Sequence, residues 1–303
     1  MKWLLHHRNY EVEKKVTKMI TALFQYEFFR NTFITGMIIG VIAPLIGTFI
    51  VVRRLSLIAD ALSHVTLSGI AASLYLSKKV SVFAGLNPLY IGMLFSVFGS
   101  LLIERLRNVY SHYQELAIPI ILSGGVGLGV IFISLADGFN TELFNYLFGS
   151  VSAVSRSDLY VILAISVAVL IVIIFLYKEL FLLSFDEEYA HASGIQAKSI
   201  HFVFMVLIAL VIAISMRVVG ILLVSSLMTL PVAASMRIAR GFKQTIFYAI
   251  IFGEISVVGG LISAYYLDLA PGGTIVMIAI TILLFTILFK KIRTGSPISS
   301  ILR

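Results

Sequence analysis

Within LIADALSHVTLSG, residues 57–69, a carboxylate and an imidazole stand four positions apart in an otherwise largely apolar stretch: Asp60 and His64. On a helix such a pair shares one face, about 6 Å apart along the axis. A charged side chain at the centre of a bilayer costs about 2.5–3.5 kcal/mol on insertion scales, so residues of this kind ordinarily face a cavity or a partner. A carboxylate oxygen with a neutral imidazole nitrogen is a donor set suited to zinc and acceptable to manganese or iron. Two donors do not complete a site, whereas two copies of the helix meeting on a two-fold axis supply four. Ser56, Ser63, Thr66 and Ser68 are near enough in sequence to orient the ligands by hydrogen bonds. Two plainer roles compete. Asp60 lies six residues beyond Arg54 and could pair with it, and His64 could be a hydrogen-bonded packing residue. A site this close to a basic end also requires the helix to begin inside the membrane or to dip into it.

Glu254 is the other costly charge in an apolar run. It either pairs with Arg217 or lines an ion route, and a structural ion pair or hydrogen bond is its simpler role. Asp186 is placed to cap a short helix whose first turn carries Glu187 and Glu188 at the positive end of the dipole. Tyr189 and His191 follow, and Gly194 can close the helix in the left-handed conformation. Such a helix is either a docking element or an ordinary surface loop. The run Ser123-Gly124-Gly125-Val126-Gly127-Leu128-Gly129 has no lysine, no flanking strand and an apolar setting, so it reads as close helix packing, not a phosphate loop. No Gly-x-x-x-x-Gly-Lys-Ser/Thr, no His-Glu-x-x-His and no arginine ladder occurs. These absences exclude P-loop ATP binding, a zinc protease of that type and a voltage sensor. The lack of cysteine excludes disulfides, thiolate metal sites and cysteine redox chemistry.

The elements that position these residues are membrane spans. The chain has 303 residues, 59% of them hydrophobic and 13% charged. Its mean hydropathy is +1.03, and soluble domains carry roughly twice that share of charge, about 25%. Runs of about 20 apolar residues suffice to cross a bilayer. They recur at 32–52, 56–77, 89–105, 116–136, 159–178, 201–218, 220–239, 245–267 and 271–289. The expectation is one all-α polytopic domain of about nine spans (eight if 216–220 is only a bend), covering 31–293. An interfacial charged segment at 1–30 precedes it and a cytoplasmic tail at 294–303 follows. The net charge of +8 does not point to nucleic acid, because its distribution alternates. Arg53-Arg54, Arg105 and Arg107, Lys178 and Lys198, Arg237-Arg240-Lys243 and Lys290-Lys291-Arg293 fall in alternate connections, which marks that side as cytoplasmic. The C-terminus is then inside. Nine spans put the basic head outside, where it would lie on the surface.

Arg53-Arg54-Leu55-Ser56-Leu57-Ile58-Ala59-Asp60-Ala61-Leu62-Ser63-His64 resembles the pattern Arg-Arg-x-Ser-Leu-x-x-Asp-x-Leu-Ser-His. That pattern belongs to the membrane permease subunits of bacterial ATP-binding-cassette importers for zinc, manganese and iron. FNYLFGSVSAVSRSDL (144–159), SFDEEYAHASGI (184–195), VVGILLVSSLMTLPVAAS (218–235) and YYLDLAPGGTIV (265–276) resemble segments of the same family in the same order. The resemblance implies a homodimer in the cytoplasmic membrane, a pair of cytoplasmic ATP-binding subunits and an extracytoplasmic metal-binding protein. It implies that Asp60 and His64 are transient ligands on the translocation path and that 186–194 is the helix coupled to the ATPase. His191 stands where relatives often have arginine, and residues 1–25 exceed many relatives.

The expected function is therefore alternating-access import of a divalent metal, zinc first and manganese second, with no permanently bound cofactor and with ATP hydrolysis on another chain. Histidine must be neutral to ligate, so import should fall as pH drops through the imidazole range. A permease for a metal chelate or cobalamin, and an ion-coupled secondary transporter without an ATPase, are the alternatives.

Overall fold

The computed structural model describes residues 25–83, 85–150 and 154–294. The expected interfacial head therefore lies, for residues 1–24, outside the described residues, as does the tail at 295–303. The described chain is helical throughout. In order, α1 spans Glu27–Val52, α2 Leu57–Lys79, α3 Pro88–Val109, α4 Ala117–Leu135, α5 Thr141–Phe148, α6 Arg156–Phe175, α7 Tyr177–Phe185, α8 Glu187–Ala192, α9 Ala197–Val219, α10 Ile221–Ile238, α11 Phe242–Leu267 and α12 Pro271–Thr294. Two short 3-10 turns, Ser81–Phe83 and Gln114–Leu116, precede α3 and α4.

Among the described residues, nine helices are long and apolar enough to cross a membrane: α1 to α4, α6 and α9 to α12. Most overrun the apolar runs read from sequence by a few residues, since a polar residue at a helix end still satisfies a backbone hydrogen bond. One boundary differs in kind. The apolar run 159–178 does not continue as a single helix, because the backbone at Leu176 leaves helical geometry and α7 begins anew at Tyr177.

The helix starts follow local chemistry. Asn87 caps α3 by accepting from the Leu89 amide at 3.1 Å, with Pro88 as the first helical residue. Asn140 caps α5 through the Leu143 amide, and Ser155 with Asp158 forms a reciprocal capping box on α6. The short helix expected near 186–194 is α8, with the Asp186 carboxylate accepting from the Tyr189 amide at 2.8 Å. Gly194 follows it with φ +80°.

The stretch around 216–220 is a true break. Gly220 (φ +84°, ψ 154°) separates α9 from α10, and Gly149 (φ +76°, ψ 161°) closes α5. Both lie in a backbone region open in practice only to glycine. They also touch: a Cβ on Gly220 would sit 2.5 Å from the Gly149 nitrogen, and one on Gly149 would sit 2.2 Å from the Val218 oxygen. The outer loop is thereby pinned to the α9–α10 junction by backbone against backbone.

The buried centre is made by α1, α2 and α9, with α2 the most buried of the nine and α12 the least. On the basic side Phe49 of α1 packs edge-on against Phe204, Phe242 and Tyr177, tying α9, α11 and α7 together. The α2 helix lies chiefly against α3 and α4 and more lightly on α10 and α9. The glycine-rich run does serve packing: Gly125 of α4 meets Val65 so closely that a Cβ there would stand 2.9 Å from the Val65 amide nitrogen. Gly124 and Gly127, on the other side of α4, face nothing within 4 Å.

Candidate metal pathway and coupling surface

Burial along α2 singles out the two residues that sequence singled out by type. From Ile58 to Leu74 every residue is buried except Asp60 and His64, which are half-buried. Fifteen buried neighbours hold the helix rigidly, while the one face carrying the carboxylate and the imidazole stays open. Leu57, three residues before Asp60 and on the same face, is 59% exposed.

No ion pair joins Asp60 to Arg54. Arg54 is exposed with φ +58°, and Asp60 enters no salt bridge or side-chain hydrogen bond among the described residues. The supporting hydroxyls behave otherwise than expected. Thr66 donates to the Leu62 carbonyl at 2.6 Å, and Ser68 donates to the His64 and Gly125 carbonyls at 2.9 and 2.8 Å. Thr66 is thereby tied within α2, Ser68 braces α2 against α4, and neither hydroxyl is free to orient the ligands. Ser63 is buried, and its hydroxyl has no protein partner. Among the described residues no group of three or more His, Asp or Glu side chains converges on one point. One chain thus offers two donors.

Glu254 lies in α11 against Gly40 of α1 and does not pair with Arg217. Its Oε1 has no hydrogen-bond partner. Arg217 instead reaches across to Asn87 Oδ1 at 2.9 Å and Asp158 Oδ1 at 3.5 Å, over the Tyr146 ring at 4.8 Å. This cluster ties α3, α5, α6 and α9 together at their outer ends. Spacing cannot reveal it, since the partners are 59 to 130 residues apart. Asp268, in the left-handed region with φ +54°, ends α11.

Sequence reading also misses Arg53. Its Nε donates to Ser184 Oγ at 3.1 Å, its Nη1 contacts His201 Nδ1 at 3.1 Å, and its guanidinium lies 4.9 Å from the Phe204 ring centre. The other His201 nitrogen, Nε2, is 3.4 Å from Glu187 Oε1 of α8. Burial lowers the Arg53 pKa to about 10, and the Glu187 carboxylate opposes that shift. The guanidinium stays charged at neutral pH. A continuous polar path thus runs from α8 through His201 to Arg53, in the turn that launches α2 and four residues ahead of its first residue.

The α8 helix is itself an anchored projection. Ala190 is fully buried against Leu183 and Ala197, whereas Tyr189 is 59% exposed and Glu188 also faces outward. His191 is the fifth residue of α8.

Residues 25–290 match the family described as ABC 3 transport family. A Treponema pallidum protein named "Probable metal transport system membrane protein" is 35% identical over 89% of this chain and 98% of its own. The manganese transport system membrane protein MntC of Listeria monocytogenes is 32% identical over 89% and 93%. The structure titled PsaBC from Streptococcus pneumoniae in complex with Fab superposes with TM-score 0.77, at 31% identity over 89% of this chain and 95% of that one. The chain belongs to the ABC 3 transport family: it is a multi-pass membrane permease subunit of a metal importer of the ATP-binding-cassette class, with ATP hydrolysis on a separate subunit.

Proposed function

We propose that the imported ion is a divalent first-row transition metal, manganese ahead of zinc, and that it passes between two copies of this chain at Asp60 and His64. The carrying observation is the burial pattern of α2, in which these two residues are the only ones not buried between Ile58 and Leu74. One chain offers one oxygen and one nitrogen donor. Two chains related by a two-fold axis offer two of each, with no thiolate to favour soft metals. The side of α4 turned away from α2, where Gly124 and Gly127 are exposed, suits close approach of a second membrane helix. The manganese name of the Listeria relative supports putting manganese before zinc, the reverse of the order expected from sequence. A mixed oxygen–nitrogen set that holds its ion only moderately lets the ion leave again, which transport requires.

On this reading the ion arrives from an extracytoplasmic binding protein, and the ATP-binding subunits act through α8. Asp186 and Gly194 define the ends of that helix, Glu188, Tyr189 and His191 belong to its docking surface, and Glu187 connects it inward through His201 to Arg53. Glu254 is assigned to packing between α1 and α11, away from the ion.

The test is metal uptake by vesicles holding this chain with its ATP-binding subunit, comparing wild type with Asp60→Ala and His64→Ala. Each variant should lose uptake by about tenfold or more, equivalent to ~1.4 kcal/mol, with assembly and ATP hydrolysis retained. Normal uptake by both variants would sink the assignment. Offering manganese and zinc separately identifies the cargo.

A further inference from the structure

The last two spans leave a groove between α11 and α12 at their basic ends. Its volume is about 840 Å³, inside the ~300–1,000 Å³ typical of small-ligand sites. The body is apolar and faces outward: Ile255 is 51% exposed, Phe285 67% and Phe289 49%. Arg237, Arg240 and Lys290 stand at the mouth, and no acidic residue lines any part of it. Along α12 the lining runs from Thr281 to Lys290. That is about 14 Å at helical rise, or one leaflet of a hydrocarbon core roughly 30 Å thick.

We propose that this groove binds an anionic phospholipid of the cytoplasmic leaflet, acyl chains along Phe285 and Ile255 and phosphate among the three cations. The match is one of charge and depth together. Three cations at the height of the headgroups attract an anionic lipid and gain little from a zwitterionic one. The apolar channel below them continues inward where acyl chains lie. Other occupants fit less well. The open face of α2 lies elsewhere in the bundle, since α10 packs on α2 and also on α11 and α12 and stands between them.

Native mass spectrometry of the full chain in detergent, titrated with phosphatidylglycerol or with phosphatidylcholine of the same acyl chains, tests this directly. Wild type should retain phosphatidylglycerol at a concentration about tenfold lower or more than phosphatidylcholine. The combined Arg237→Gln, Arg240→Gln, Lys290→Gln variant should lose that preference. Thr281→Trp, which fills the channel and leaves the cations, should weaken retention of both lipids. Equal retention of the two lipids by wild type overturns the proposal, as does an undiminished preference in the triple variant. Displacement by free glycerol 3-phosphate at equal concentration would show a headgroup-sized anion site and also overturn it. The chain has no cysteine, so a single Phe285→Cys reports only on the groove. Crosslinking of two chains through it would identify a chain–chain contact instead and end the lipid assignment.

Discussion

Asp60 and His64 are the residues at which local chemistry conflicts most with the apolar setting, and the structure resolves the conflict by leaving their face open. Because neutral imidazole is the ligating form, uptake should decline between pH 7.5 and 5.5 while ATP hydrolysis continues. Arg53 cannot cause such a decline, since a guanidinium with pKa about 10 keeps its charge throughout that range. Uptake that is flat across the range, with hydrolysis intact, counts against imidazole ligation. The type and spacing of this pair were legible because a carboxylate in an apolar run is costly wherever it falls. The roles of Thr66 and Ser68 were not, because a hydroxyl can donate to a side chain or to the carbonyl four residues back. Both donate to the carbonyl four residues back, and only the packing of α4 against α2 gives Ser68 its second acceptor, the Gly125 carbonyl.

Two predictions belong to the elements. Replacing Arg53 by glutamine breaks the polar path from α8 to the root of α2. Uptake per ATP hydrolysed should fall several-fold, with subunit assembly kept. His201→Ala should do the same, whereas Arg54→Gln, at the exposed neighbour, should leave the ratio unchanged. An unchanged ratio in Arg53→Gln would mean that α8 reaches α2 by another route. The second concerns the junction of α5, α9 and α10. Gly220→Ala places a side chain in a glycine-only backbone region, at a cost of about 1–3 kcal/mol, and drives it into the Gly149 amide. The variant should melt well below wild type in a thermal scan in detergent. Gly124→Ala, with open space around it, should melt close to wild type. The start of α8 was readable from sequence, since capping is settled within four residues, as Asp186 with Tyr189 shows. The break at Leu176 was not, because nothing in that apolar run forbids a longer helix.

For the whole molecule, the alternation of basic connections sets the expected sidedness, and the distribution of burial sets which faces of the bundle are open. If two copies meet through α2, Leu57→Cys should be joined to its counterpart by a short bifunctional thiol reagent in membranes, with Phe285→Cys as the outward-facing control. Absence of that crosslink in a transport-competent complex would remove the two-fold ion path. The importer class was visible before the fold, because five ordered segments resembled one family. The partners of Arg217 were not: of the roles left open for Glu254, pairing with Arg217 is not found among the described residues, and the carboxylate beside Arg217 is Asp158, 59 residues away in sequence.

The sequence by itself determined the many-span helical architecture, which connections are basic, the short capped helix and the identity of the carboxylate–imidazole pair. Each depends on properties a residue keeps in any fold: its cost in lipid, its cap, its distance along one helix. Tertiary structure alone decided that the pair's face stays open while the rest of α2 is buried. It likewise decided that Arg53 joins α8 to the turn before α2, that Glu254 forms no ion pair among the described residues, and that a cationic apolar groove opens at the basic ends of α11 and α12. These are relations between helices far apart in the chain. They arise from which surfaces pack together, a choice that helical periodicity leaves open when nearly every face of a helix is apolar.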